Sequence, residues 1–463
     1  MSKDKKAIYK PKPISGFPEW LPEERLVEQK WLDHIRKVFE SYGFTSLETP
    51  AVEELEVIAA KGEDADKEIY VIERLHKEEG DKETRLALHF DQTVPFARYT
   101  AQHFNDLTFP FKRYQIQKVW RGERPQAGRM REFYQCDIDV INVDNLPISF
   151  DAEMPAIMWE VLSSLPVWDK EKEQETTLGE LEQIQIRVSN RKILSGLCEG
   201  LGIVNTLEVI RIIDKLDKCG LLEIEKMLMD AGISSTHVSF IIQLFSEFNR
   251  EGFSNITAYF RNLEEDANIC KEALPKMKEG IEELSTLLNS FSHLPEGAVV
   301  ADLSIVRGLD YYTGTVYETV FVDDPGYGSI CSGGRYDDLA GSYINKHLPG
   351  VGISIGFSRL FDRLRSAGKL DTARKSPTDI LVVLPNDEQR SAAAETARTL
   401  RGKGYNVELY HAPQKIGKQI GYAEKKGISY VWFPPFGADG EHEVKNMNTG
   451  EQIKADPSSW IID

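Results

Sequence analysis

The run Val306-Arg307-Gly308-Leu309-Asp310-Tyr311-Tyr312-Thr313-Gly314 concentrates side chains that can do chemistry. A strongly basic group, a carboxylate and two adjacent phenols stand between glycines that let the backbone turn tightly. Packing alone rarely needs an arginine and a Tyr-Tyr pair at such a turn. The pattern predicts a site for a polar, partly aromatic ligand with a phosphate nearby. A strand end carrying a surface salt bridge is the other reading of the same residues.

Four more segments carry candidate groups: Asp91-Gln92-Thr93, Arg121 to Arg131, Phe133 to Asp139, and Gly352 to Arg359. Arginines recur at Arg121, Arg307 and Arg359. Guanidinium groups hold phosphate oxygens through paired donors and stay charged at any working pH. Such a set suits phosphoryl or nucleotidyl transfer, where positioning and charge stabilisation do most of the work. No GxxxxGK[ST] loop and no GxGxxG opens a strand-helix unit, so a bound nucleotide would need another architecture. Gly352-Ile353-Ser354-Ile355-Gly356 matches GxSxG, with carboxylates and His411 following in hydrolase order. Two β-branched residues flank Ser354, which suits a strand better than a strained elbow.

These groups need elements to hold them. Residues 22–42 read as an amphipathic helix through Trp31, Ile35, Val38, Phe39 and Tyr42, and Phe44 to Pro50 as a short strand. Thr108 to Trp120 and Phe133 to Val143 read as an antiparallel pair joined by a long charged loop. A helix is expected over 147–165, a Glu-rich loop over 168–182 and a strand over Ile184 to Val188. Residues 191–290 carry helical periodicity and read as a mainly helical insertion. Strands follow at Ala298 to Val306, Tyr312 to Phe321 and Gly350 to Phe357, then a helix from Ser358 to Ala367. Beyond a polar linker at 367–377, strand and helix alternate, predicting an α/β domain with a mainly parallel sheet and a terminal hairpin at Asn448-Thr449-Gly450.

The length of 463 residues allows two to four domains. No apolar run approaches the roughly 20 residues that span a bilayer, and the charged N-terminus lacks the apolar stretch of a secretory signal. Five cysteines without a CxxC pair point to free thiols in a reducing cytoplasm. Nine histidines without HExxH or HxxxH spacing predict no structural metal. The net charge of −18 favours solubility and argues against nucleic acid. Two basic islands run the other way. The first holds Lys112, Arg113, Lys118, Arg121, Arg124, Arg129 and Arg131. The second holds Arg390, Arg398, Arg401, Lys403, Lys415, Lys418, Lys425 and Lys426, interleaved with Tyr410 and Tyr422.

Motif for motif, the chain resembles the histidyl-tRNA synthetase family of class II aminoacyl-tRNA synthetases. Lys118 to Gln135 (KVWRGERPQAGRMREFYQ) is similar to class II motif 2, and Gly350 to Arg359 (GVGISIGFSR) to motif 3. The helix and strand ending at Pro50 resemble motif 1. RGLDYYTG and Ser332-Gly333-Gly334-Arg335-Tyr336-Asp337 resemble two segments peculiar to the histidine enzyme. The resemblance implies an α/β protein: an α+β catalytic domain with an antiparallel sheet and helices, a helical insertion and a C-terminal α/β anticodon-binding domain. The expected boundaries are 1–190 and 291–370 for the catalytic parts, 191–290 for the insertion and 376–463 for the anticodon domain.

It also implies a cytoplasmic histidine–tRNA ligase acting as a homodimer, with L-histidine, ATP, tRNA(His) and Mg²⁺ accompanying the nucleotide. Carried over by motif, Arg121 and Arg307 would be catalytic cations on the α-phosphate, both also bordering the bound histidine. Glu123 would orient the nucleotide, Phe133 would stack on adenine, and Arg359 would reach the γ-phosphate. Asp91, Gln92, Thr93 and Gln135 would surround the substrate ammonium. Asp139, Tyr312 and Tyr336 would form the imidazole pocket, with Tyr311 lining it. Arg124 and Gln126 would meet the tRNA acceptor end. Asp91 stands where many bacterial members have Glu, as in archaeal and eukaryotic forms, while the Arg-Pro-Gln of the loop is the bacterial form. A non-enzymatic rival is the synthetase-like regulatory subunit of ATP phosphoribosyltransferase, which lacks a C-terminal domain. Residues 378–463 and the three arginines set this chain apart from it.

Overall fold

The computed structural model describes residues 9–59, 68–75, 85–126, 128–251, 260–263, 274–305, 311–435 and 440–462. Two compact units divide the chain. Residues up to Pro18 and Leu32–Gly368 form one, and Lys369–Asp463 together with Glu19–Trp31 form the other.

The first unit is built on an eight-stranded sheet: β1 (Thr45–Ser46), β2 (Phe111–Trp120), β3 (Glu132–Ile141), β4 (Ile184–Asn190), β5 (Val299–Ala301), β6 (Thr315–Phe321), β7 (Cys331–Tyr336) and β8 (Gly350–Ile355). Their spatial order is β1-β2-β3-β8-β7-β6-β4-β5. The six central strands pair antiparallel, and only the outer pairs β1/β2 and β4/β5 are parallel. The long pair β2/β3 matches the expected hairpin, with Phe111 opposite Ile141 and Trp120 opposite Glu132.

Helices cover the sheet. Ile35 and Phe39 of Pro22–Ser41 are fully buried, and Phe39 meets the Tyr114 ring at 6.1 Å. Thr93–Gln102 buries Val94, Phe96, Ala97 and Thr100 beside Tyr336 and Leu339. Ser149–Ser163 buries Met154, Ile157, Met158 and Val161. From Arg191 to Asn289 the described residues are largely helical, as expected. The first and last of these helices, Arg191–Gly200 and Leu274–Asn289, press together backbone to backbone. A Cβ on Gly196 would lie 2.4 Å from the Met277 amide nitrogen. Lys192 bridges to Glu279 and Glu283 at 2.8 and 2.6 Å across the same contact.

Three expectations need correction. Residues 168–182 are not a loop: Pro166–Asp169 pairs with Gln174–Thr177, and a helical turn Leu178–Leu181 follows. Asp169 makes the hairpin turn by accepting from the Glu171 and Lys172 amides at 2.9 and 3.2 Å. The strand expected over Phe44 to Pro50 shrinks to two residues. The second unit carries a mixed sheet: β9 (Ile380–Val382), β10 (Val407–Leu409), β11 (Tyr430–Phe433), β12 (Glu443–Asn446) and β13 (Gln452–Lys454), in the order β10-β9-β11-β12-β13. β9 pairs parallel with both neighbours, whereas β12 and β13 are the predicted antiparallel hairpin. Its core gathers Ile380, Val382, Leu384, Leu400, Val431 and Trp432.

Candidate active site

Strand register assembles a pocket on the large sheet. Gln135, Asp137 and Asp139 alternate along β3, so their side chains share one face, and all three are buried. Asp139 stands opposite Arg113 of β2 on one side and Gly352 of β8 on the other, with Gly334 of β7 next in the row. The glycines are required by what lies over them. A Cβ on Gly352 would fall 2.1 Å from Asp139 Oδ1, and one on Gly350 2.3 Å from the Tyr336 ring. One on Gly334 would be 2.9 Å from the Tyr312 ring. The glycine-rich strands are therefore a flat floor that leaves room for a carboxylate and two phenols.

The Tyr336 hydroxyl donates to Asp139 Oδ1 at 2.8 Å, and Arg113 pairs with Asp139 Oδ2 at 2.6 Å. Tyr311 donates to Asp91 Oδ2 at 3.2 Å, while the Val94 amide donates to Asp91 Oδ1 at 3.2 Å. The Tyr311 ring meets Tyr312 and Tyr336 edge-on at 4.9 and 6.0 Å. Burial pushes Asp139 up to about 6 and Asp137 up to about 7, in each case against the pull of Arg113, and raises Asp91 as well. Burial also lifts all three phenols, so they remain hydrogen-bond donors at neutral pH.

Gln92 ties the strands together: its amide donates to the Gln117 and Gln135 carbonyls at 2.9 and 3.2 Å. Gln135 Nε2 donates to Ser354 Oγ at 2.9 Å. Three buried acceptors, Gln92 Oε1, Gln135 Oε1 and Asp137 Oδ1, find no donor among the described residues. Leaving buried acceptors unmet is costly. A surface so rich in acceptors suits a ligand bearing N–H groups.

A cleft of about 370 Å³ continues from this pocket, sharing Gln135 and Ser354 and adding Arg121, Glu123, Phe133 and Arg359. Arg121 follows β2, donates from Nε to the Phe90 carbonyl at 3.0 Å and lies 5.3 Å from the Phe133 ring centre. Arg359 sits in the first turn of the helix Phe357–Ser366, over the Tyr327 ring at 5.1 Å, and donates to the Tyr327 carbonyl. Burial lowers its pKa, yet from a value so high that the group stays charged. Glu123 pairs with Arg129 of the same loop at 3.4 Å. Arg124 and Gln126 are exposed on that loop, which turns back through Gln126–Arg129 bonds of 2.9 and 3.2 Å. Thr93 is half-buried at the start of its helix. Arg307 lies outside the described residues; Tyr311 and Tyr312 of its motif line the pocket.

The structure brings together Asp91, Gln135, Asp139, Tyr311, Tyr312 and Tyr336 in one place and Arg121, Phe133 and Arg359 in the adjoining one. Two residues of the pocket received no individual role from the sequence: Asp137, inside the candidate segment Phe133 to Asp139, and Arg113. Arg113 counts toward the first basic island, but it is fully buried and ion-paired. Lys112 and Lys118 of that island are likewise paired, with Glu153 at 2.9 Å and Glu132 at 2.5 Å. The Asp-Ile-Asp alternation in a strand was the available signal for Asp137. Ser354 lies in regular antiparallel β8 rather than at an elbow, its hydroxyl occupied by Gln135 and Asp137.

In the second unit, most of the basic island is engaged internally. Arg390 pairs with Asp387, Arg398 with Glu395 and Lys426 with Glu408, while Arg401 and Lys403 donate to the Val407 and Trp460 carbonyls. Tyr410 belongs to the core and is not a free stacking surface, and Tyr422 donates to Glu408 at 2.6 Å. Lys415, Lys418 and Lys425 remain exposed, spaced along one face of the helix Ile416–Lys426 and its N-cap.

Comparison with known proteins agrees with this geometry. The sequence model described as histidyl-tRNA synthetase matches residues 16–360, and that described as an anticodon binding domain matches 379–461. The chain is 54% identical over 457 residues to the histidine–tRNA ligase of Thermobifida fusca, covering 98% of each. It is 44% identical to that of Bifidobacterium longum subsp. infantis, covering 97% of each. The crystal structure of histidyl-tRNA synthetase from Nostoc sp. PCC 7120 superposes with a TM-score of 0.80 at 37% identity, covering 97% of both chains. A regulatory subunit/histidyl-tRNA synthetase structure from Bacillus halodurans, at 22% identity and TM-score 0.67, shares the fold. With buried carboxylates and phenols beside an arginine-lined cleft, and relatives of this likeness over its whole length, the chain belongs to the histidyl-tRNA synthetase family of ATP-dependent aminoacyl-tRNA synthetases.

Proposed function

We propose that the two connected sites divide the ligation of histidine to its tRNA between them. The observation that carries this reading is the shared border, Gln135 and Ser354, between an acceptor-rich pocket and a cationic cleft. In the pocket, Asp91 takes the substrate ammonium, with Thr93, Gln92 and Gln135 around it. Asp139, Tyr312 and Tyr336 take the imidazole, with Tyr311 closing one side. In the cleft, Phe133 and Arg359 sandwich adenine, Glu123 orients the nucleotide, and Arg359 reaches the γ-phosphate. ATP enters as its Mg²⁺ complex, the ion being part of the substrate.

The histidine carboxylate then attacks the α-phosphorus in line, forming the acyl–phosphate bond as the bond to pyrophosphate breaks. Arg121 and Arg307 stabilise charge that grows on the α-phosphate oxygens. In the second step the terminal ribose hydroxyl of tRNA attacks the adenylate carbonyl, and AMP leaves. Arg124 and Gln126 lie on the exposed loop that would meet that acceptor end. Alignment and charge stabilisation are the protein's main contributions.

Residues 376–463 are assigned to the anticodon, the exposed lysines 415, 418 and 425 contacting its backbone. Changing all three to alanine is expected to weaken tRNA binding and reduce its salt slope by about 2, near 0.7 per single-strand contact, while histidine-dependent ATP–pyrophosphate exchange stays normal. Unchanged aminoacylation KM for tRNA would remove these residues from the interface. The functional unit is proposed to be a cytoplasmic homodimer paired through the segment ending at Pro50. A stable monomer in sedimentation at micromolar concentration would contradict that pairing.

A further inference from the structure

We propose that Arg113 is a positioning residue for histidine selection, holding the Asp139 carboxylate in one orientation and in its ionised, accepting form. The inference rests on the reading that Asp139 meets the substrate imidazole.

Arg113 contacts neither the cleft nor the reacting atoms in this scheme. It is fully buried on the same face of β2 as Gln115. Its guanidinium lies 4.5 Å from the centre of the Phe96 ring. Its donors reach Asp139 Oδ2 at 2.6 Å, Gln115 Oε1 at 3.3 Å and the Gln92 carbonyl at 3.3 Å. With Tyr336 on Oδ1, each oxygen of Asp139 has one donor among the described residues. A carboxylate offers about four acceptor positions, so its plane is fixed and lone pairs remain for a ligand N–H.

The surroundings make the cation necessary. Facing Asp139 are Asp137 on its own strand, Asp91 from the segment before Thr93–Gln102, and the phenols of Tyr311, Tyr312 and Tyr336. Gly352 of β8 brings no side chain. Three buried carboxylates thus surround Arg113, and desolvation drives all of them toward the protonated form. A protonated Asp139 would present a donor where an imidazole N–H needs an acceptor. An apolar residue of similar volume often serves stability as well as a buried ion pair, so a purely structural role gives no reason for an arginine here.

The test is ATP–pyrophosphate exchange by Arg113→Met, Arg113→Lys and the double variant Arg113→Met/Asp137→Asn, measured between about pH 5.5 and 8.5, across the range where buried carboxylates and imidazole titrate. The double variant removes a neighbouring carboxyl charge together with the cation, so it keeps the test open if the single variant does not fold. Losing the cation raises the carboxyl pKa, so the acceptor form returns only at higher pH. The substrate's own ionisations are common to every variant and cancel in the comparison.

Arg113→Met is expected to raise KM for histidine about 10- to 100-fold at neutral pH, the scale of one charge-assisted hydrogen bond, with KM for ATP unchanged. The defect should shrink as pH rises. Arg113→Lys should fall between, and the double variant should keep a raised KM for histidine. A folded Arg113→Met or double variant with normal KM for histidine overturns the inference. So does an equal rise in both KM values without recovery at high pH. Failure of the unaltered protein to activate histidine would instead overturn the proposed function.

Discussion

The pocket proposed for the amino acid and the cleft proposed for the nucleotide lie side by side in one unit but are built in opposite ways. The pocket is made on strands. Asp139, Tyr336 and Arg113 sit on β3, β7 and β2, buried and bonded to one another before any ligand arrives. The cleft is made largely from ends and loops: Arg121 just past β2, Glu123 in the loop, Arg359 in the first turn of a helix. Its cations hold carbonyl oxygens or aromatic faces, contacts that a phosphate can replace. The difference suits the role proposed for each. Selecting one side chain among twenty needs a rigid, desolvated surface whose polar groups go unmet by the wrong ligand. Binding a nucleotide that must react and leave needs charge in the right place.

The contrast can be broken first on the cleft side. Arg121→Ala should lower the exchange rate by about 10² to 10³, the scale for losing one transition-state donor, with a smaller change in KM for histidine. A near-normal rate in the folded variant would mean that Arg121 only packs on Phe133. On the pocket side, Gly352→Ala places a methyl group on Asp139 Oδ1 and 2.7 Å from the Ile138 carbonyl. The carboxylate cannot swing away without leaving Arg113 and Tyr336. Overpacking of this kind costs about 1–3 kcal/mol, so a lower Tm together with a raised KM for histidine and an unaltered KM for ATP is expected. An equal rise in both KM values would erase the distinction between the sites. The smallest effect should come from Phe133→Leu. It removes a stacking face and is expected to raise KM for ATP about 10-fold, leaving histidine binding intact.

Legibility from sequence follows the same divide. Arg121, Phe133 and Arg359 stand in motifs whose spacing is local, so a linear reading finds them. Asp139 and Tyr336 were also found by motif, but their partner Arg113 was not. Counting charges along a segment treats every arginine as solvated, whereas strand alternation turns Arg113 inward and the register with β3 sets it against Asp139. Its neighbours Lys112 and Lys118 point to ordinary ion pairs. Tyr410 misled for a related reason: an aromatic residue near lysines reads as a stacking surface, yet it closes the core of the second unit. The hairpin at Pro166–Thr177 was missed because its stability comes from backbone pairing and the Asp169 turn rather than an apolar stripe. Pairings distant in sequence were the part a linear reading could not supply.

The central claim is that the pocket on β3, β7 and β8 selects histidine for activation by ATP. ATP–pyrophosphate exchange by the purified chain, run in parallel with each of the twenty amino acids, tests it most directly. The account predicts exchange with histidine and rates lower by about 10⁴ or more for the rest, the discrimination available to a site that hydrogen-bonds its substrate. Exchange with another amino acid at a comparable rate, or none with histidine, would contradict it.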